Sequence, residues 1–225
     1  IKKSKDRDFP VEQGVVGGFM HLRNLFGLEK LCLIMFRDPE LIDEIIENWL
    51  ELNEYISARI LGVTDLDILF FAEDICYRHG PLISPKMYQR FLSPYYKKLV
   101  RFLKSYGDIK TIYDSDGQVD QLIPLLIEWG CDALLPIEVQ AGNDVVKLRK
   151  IYGEKIALMG RIDKRVLAQD YKAIEEEIAQ RISFFLGKSG YVPMIDHTVP
   201  CNVPFDNYMH YLKILRSYSP ACSTE

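Results

Sequence analysis

Polar side chains able to do chemistry follow the apolar runs of this chain at regular places. The run DILFFAEDI ends in Glu73 and Asp74, and Ile109 to Tyr113 leads into Asp114-Ser115-Asp116-Gly117. Ala133 to Ile137 leads into Glu138, Ile156 to Met159 into Gly160-Arg161-Ile162-Asp163, and Tyr191 to Ile195 into Asp196 and His197. Carboxylates and an imidazole gathered in one place can bind a metal. They can also act as acid–base groups whose pKa values split because like charges crowd together. Thirdly, they can hold a cationic or hydrogen-bond-donating substrate. Such crowding predicts that something positive accompanies them. For Asp116 and Asp163 the competing reading is an N-cap of the following helix, a position that suits aspartate. His79, in the loop YRHGP, and His210, on the last helical stretch, are weaker candidates.

The elements that would position these groups alternate between short apolar runs and helical patterns. Gly14 to Met20 reads as a first strand, followed by a helical stretch with Leu22, Leu25, Leu28 and Leu31. A helix starts at Pro39 with Asp38 as its cap, keeps apolar residues at helical spacing, and stops near Gly62. A strand over Asp67 to Ile75 precedes a long helix from Ser84, with Pro85 in its first turn. Later helices are expected from about Val119 to Trp129, over Asp144 to Tyr152, through Gly187, and from about Phe205 to Tyr218. Six βα units with strands apolar on both faces predict a parallel sheet covered by helices. An open doubly wound sheet and a closed (β/α)8 barrel both fit, but no GxGxxG or Walker loop follows any strand. The barrel is preferred, as a single α/β domain over 1–225, and there the site forms at the C-terminal strand ends.

Composition narrows the function classes. Of 225 residues, 48% are hydrophobic and 27% charged, with a formal net charge of −4. No basic field exists to attract nucleic acid or an anionic membrane. The Lys-rich stretches at Lys2 to Lys5 and Lys97 to Arg101 read as a solvated end and a helix surface. No run reaches the ~18 apolar residues of a membrane span. Cys32, Cys76, Cys131, Cys201 and Cys222 form neither a CxxC pair nor a disulfide framework. They read as buried free thiols of a cytoplasmic protein. The first residue is Ile1 rather than Met, so the chain is expected to lack N-terminal residues. Two open sheet edges would then need covering by a preceding segment or by another subunit of a homo-oligomer.

Three stretches resemble the uroporphyrinogen decarboxylase superfamily, which includes corrinoid-dependent methyltransferases: FFAEDICYRHGPLISPKMYQRFLSPYYKKL, YDSDGQVDQLIPLLIEWGCDALLPIEVQAGNDVVKLRKIYGEKIALMGRID and GYVPMIDHTVPCNVPFDNYMHYLKIL. The resemblance covers about Val15 to Tyr218 and implies a distorted (β/α)8 barrel, the URO-D fold, with its N-terminal third absent. The tyrosine of the decarboxylases falls at Leu25, and their GHG motif reads IDHTVP here, both departures from decarboxylation. The zinc set of the thiol-directed methyltransferases falls at Asp114, Asp116, Glu138 and Asp196. The spacing survives while the soft ligands are gone, which disfavours zinc and leaves a divalent metal as an expectation.

The leading expectation is therefore methyl transfer between a small methylated compound and a corrinoid protein. Its expected catalytic groups are Glu73, Asp116 and His197, and its substrate-binding groups Asp74, Arg161 and Asp163. A porphyrinogen decarboxylase is the alternative, and a non-catalytic ligand- or partner-binding barrel the third reading.

Overall fold

A computed structural model of the chain describes residues 7–218. The expectations for Lys2 to Lys5 and for Cys222 lie outside the described residues. The chain forms two compact units that divide between Leu134 and Leu135.

In the first unit, β1 (Glu12–Val16), β2 (Ile68–Ala72) and β5 (Lys110–Asp114) run parallel. Gly14 stands opposite Phe70, and Phe70 opposite Ile112. Leu69, Phe71, Thr111 and Tyr113, on the alternate positions, are fully buried. Their burial is aromatic: the Tyr96 ring lies 5.0 Å from Phe71 in an edge contact and stacks on Trp129 at 5.2 Å. Side chains of this size contribute on the order of 1.5–3 kcal/mol each when buried.

The GVVGGFM segment is not one strand. β1 stops at Val16, and helix α1 (Gly18–Phe26) begins two residues later, followed by α2 (Leu28–Arg37) after a break at Gly27. Gly17 makes the turn because a Cβ there would overlap the carboxylate of Glu73. Helix α3 (Pro39–Leu61) matches expectation, with Asp38 accepting from the Leu41 amide at 3.2 Å. The long helix expected from Ser84 is two, α4 (Pro85–Phe91) and α5 (Ser93–Lys104). Pro94 explains the break, since it has no N–H to continue the ladder. The loop YRHGP folds into a small hairpin, β3 (Cys76–Tyr77) with β4 (Gly80–Pro81), that the sequence did not signal. Helix α6 (Ile123–Trp129) starts four residues later than expected and ends at Gly130 in the left-handed region.

Strand β6 (Ala133–Ile137) crosses the division between the units. In the second unit, β7 (Ala157–Ile162) and β8 (Tyr191–Ile195) are parallel, with Arg161 opposite Met194. β7 runs three residues beyond its expected end, which places Arg161 inside the strand. Helices α7 (Val145–Tyr152), α8 (Tyr171–Ile182) and α9 (Phe205–Ser217) follow, with Asp144 and Asp170 capping the first two. Ile162, Leu167, Ile174, Ile178, Ile182 and Tyr211 form the core of this unit. Cys76 and Cys131 are buried as expected and Cys32 is half-buried, but Cys201 is exposed in the turn after β8.

The Tyr96 hydroxyl also accepts a hydrogen bond from the first helical amide of α1, Gly18, at 2.7 Å in a buried setting. Tyr96→Phe should therefore cost about 1–3 kcal/mol, because it orphans a buried N–H without opening a large cavity. Urea unfolding of the two proteins measures this. A loss below ~0.5 kcal/mol would show that another group satisfies Gly18.

Candidate functional site

Glu73 and Asp74 follow β2, and their amides bond the Asp114 carbonyl at the end of β5. Glu73 is fully buried, and one of its oxygens accepts from the Met20 amide at 2.8 Å. Helix α1 has glycine at its N-cap and so no capping side chain of its own, and Glu73 supplies the acceptor. Burial pushes this carboxyl well above its ordinary range, opposed by bonds from the Met20 and Phe19 amides. Its second oxygen has no hydrogen-bond partner. Glu73, whose expected role is catalytic, holds the N-terminal turn of α1 through its bond from Met20. Asp74 has a positive φ of 42° and pairs with Arg23, whose guanidinium reaches its carboxylate at 3.1 Å and its carbonyl at 3.2 Å. Asp114 and Asp116 are half-buried on either side of Ser115, whose hydroxyl takes the Ile75 and Cys76 amides at 3.2 and 3.1 Å.

The second unit treats its carboxylates in the same way. Asp196 is fully buried and accepts from the Val139 amide at 2.8 Å and from the Lys164 amide at 3.0 Å. It ties the loops after β6 and β7 to the end of β8. Asp163 caps the 3-10 turn Lys164–Ala168 through the Arg165 amide and is gripped by the Arg165 guanidinium at 2.6 to 3.1 Å. The capping reading holds for Asp163, so its oxygens are occupied without a substrate. Glu138, largely buried, lies 3.8 Å from the Lys164 ammonium. His197 accepts the Thr198 amide on Nδ1 at 2.7 Å, which places the proton of the neutral ring on Nε2. His210 is engaged elsewhere, bonding Glu175 at 2.8 Å and stacking on Tyr171.

The positive charge expected beside the acids thus comes from the chain itself. Arg23, Lys164 and Arg165 were missed as site residues, although the basic pair after Asp163 in GRIDKR was visible. The four residues of the expected metal quartet are divided between the two units. Asp114 and Asp116 belong to the first unit, Glu138 and Asp196 to the second, and both Asp196 oxygens serve amides. Among the described residues no group of three or more His, Cys, Asp or Glu is arranged to hold a metal ion. Among them, too, no helix is long and apolar enough to cross a membrane.

Parallel βα units with polar groups after the strands define an α/β protein of the strand-end-site type. A family model described as uroporphyrinogen decarboxylase (URO-D) matches residues 1–218, and the chain belongs to this family. A uroporphyrinogen decarboxylase of Legionella pneumophila (strain Corby) is 29% identical over 143 residues, covering 63% of this chain and 39% of the relative. One of Pectobacterium atrosepticum is 27% identical over 200 residues, covering 87% and 51%. The chain therefore spans about half the length of the curated relatives it matches, or less. Among solved structures, a methyltransferase from Methanosarcina mazei superposes with a TM-score of 0.73 at 16% identity, covering 95% of this chain and 60% of that one. That likeness establishes the fold.

Two outcomes test these assignments. A carboxyl raised above its ordinary 4.5 keeps a proton in the fold that the unfolded chain releases, so stability is lost as pH rises above that value. Glu73→Gln removes this loss, and its thermal midpoint relative to wild type should climb between about pH 5 and about pH 8. A constant difference would mean that Glu73 is ionised in the fold. Asp196→Ala should cost about 2–4 kcal/mol in chemical denaturation, since two amides lose a buried charged acceptor. A cost below 1 kcal/mol would remove Asp196 as the tie between loops.

Proposed function

We propose that this chain is part of an enzyme that moves a methyl group between a small methylated substrate and a corrinoid protein. The observation that carries the reading lies in the second unit. Largely buried Glu138 beside Lys164, and His197, whose Nδ1 accepts the Thr198 amide and leaves Nε2 to donate, follow strands β6 and β8. Breaking a bond from carbon to oxygen or nitrogen leaves an electron pair on the heteroatom, and a proton delivered there eases its departure. The corrinoid of the partner would supply the nucleophile that takes up the methyl group. Water delivers that proton, His197 holds the leaving atom by a hydrogen bond from its Nε2–H, and the Lys164–Glu138 pair orients the donor. The similarity in fold to a protein named methyltransferase supports this direction.

Decarboxylation of a porphyrinogen is the second reading, favoured by the 29% identity to curated decarboxylases. Against it stands Leu25, where the resemblance puts the decarboxylases' tyrosine: it is exposed on α1.

The test is methyl transfer to cob(I)alamin, free or protein-bound, from a panel of methoxyarenes and methylamines, followed by absorbance and run beside a uroporphyrinogen assay. Transfer is expected from at least one donor, with His197→Ala lowering kcat by roughly 100-fold, the lower range for loss of a positioned hydrogen-bond donor. Turnover of uroporphyrinogen with no transfer from any donor would sink the proposal.

A further inference from the structure

Among the described residues, no acid forms a hydrogen bond with Nε or Nη1 of Arg161. The residue lies inside β7 with a φ of 71°, directly after Gly160 at 117°. Gly160 is required there, since a Cβ would come within 2.7 Å of the Ile137 amide nitrogen. Arginine has no such licence, because a side chain with a Cβ disfavours the left-handed region. The Nε and Nη1 atoms of its guanidinium are buried and have no hydrogen-bond partner among the described residues. Guanidinium N–H groups withdrawn from water without an acceptor are costly, so strain and desolvation fall on one residue.

Carboxylates are near, and each is engaged with another group. Glu177, Asp144 and Asp196 all act electrostatically on Arg161. Arg181 holds Glu177 through two bonds of 3.0 and 3.2 Å. Asp144 accepts two amides of α7, at 2.9 and 3.1 Å. Asp196 serves Val139 and Lys164. Arg181 adds a second positive charge beside Arg161, and with burial it weakens the hold of Arg161 on its proton. The residue as a whole keeps some exposure, while Nε and Nη1 themselves are buried. A strained residue held by its surroundings points to a function when the strain is observed first. Guanidinium N–H groups come in pairs that match the two oxygens of a carboxylate.

We propose that Arg161 binds a carboxylate of the substrate, so that the methylated compound handled by this chain is a small organic acid. The substrate class rests on the methyl-transfer reading, while the anion site stands without it. Thermal-shift and calorimetric titrations with benzoate and acetate, against benzamide, acetamide and inorganic phosphate, test the site. Wild type should respond saturably to a carboxylate and not to its amide. Arg161→Gly relieves the backbone strain, so it should melt higher than wild type without ligand and bind the carboxylate at least 10-fold more weakly. Arg161→Asn, which also tolerates positive φ, provides the same comparison should the glycine variant fail to fold. Equal responses to acid and amide, or an undiminished carboxylate response in both variants, would overturn the site. An Arg161-dependent response to phosphate alone would overturn the carboxylate assignment. Carboxylate binding through Arg161 with no methyl transfer from 4-methoxybenzoate or any other donor would leave the site and defeat the methyl-transfer reading.

Discussion

Backbone amides that follow a buried strand need acceptors, and here acidic and hydroxyl side chains provide them. Glu73 receives the start of α1, Ser115 receives Ile75 and Cys76, and Asp196 receives the loops after β6 and β7. Each of these groups is fully buried, where an unmade bond is expensive. The helix-bearing loops therefore hang on a few oxygen atoms, and the geometry of the strand ends follows from them.

This constraint divides the strand-end residues by role. Carboxylates that look alike in the sequence are positioning groups when buried against amides, as with Glu73 and Asp196. Others are half of an ion pair, as with Asp74 and Arg23, Asp163 and Arg165, or Glu138 and Lys164. The charge of these three is balanced by the chain's own basic residues. Arg161 stands outside both groups, since its neighbouring acids are engaged elsewhere.

Much of the fold was legible because it rests on local chemistry. β6 and β8 occupy the predicted residues, and the Asp38 and Ser84 caps and the Gly130 stop are where short-range rules put them. The errors came where a long-range contact overrode the local pattern. Gly17 and Gly18 read as strand because an apolar run surrounds them, yet the buried Glu73 carboxylate turns the chain there. The break between α4 and α5 was readable from Pro94 and was passed over. The β3–β4 hairpin had no signal in its short sequence. Gly117, at a φ of 84°, accommodates it, since a Cβ there would come within 2.7 Å of the Tyr77 carbonyl oxygen.

The sequence by itself determined the α/β class, the order of βα units, and the position of acidic and basic residues after the strands. Those properties follow from apolar periodicity and from which residues can end a strand or start a helix. It could not say which carboxylates face amides and which face cations. That was decided by tertiary structure, because burial and the competition among neighbouring donors set a side chain's partner, and both depend on residues distant in the chain.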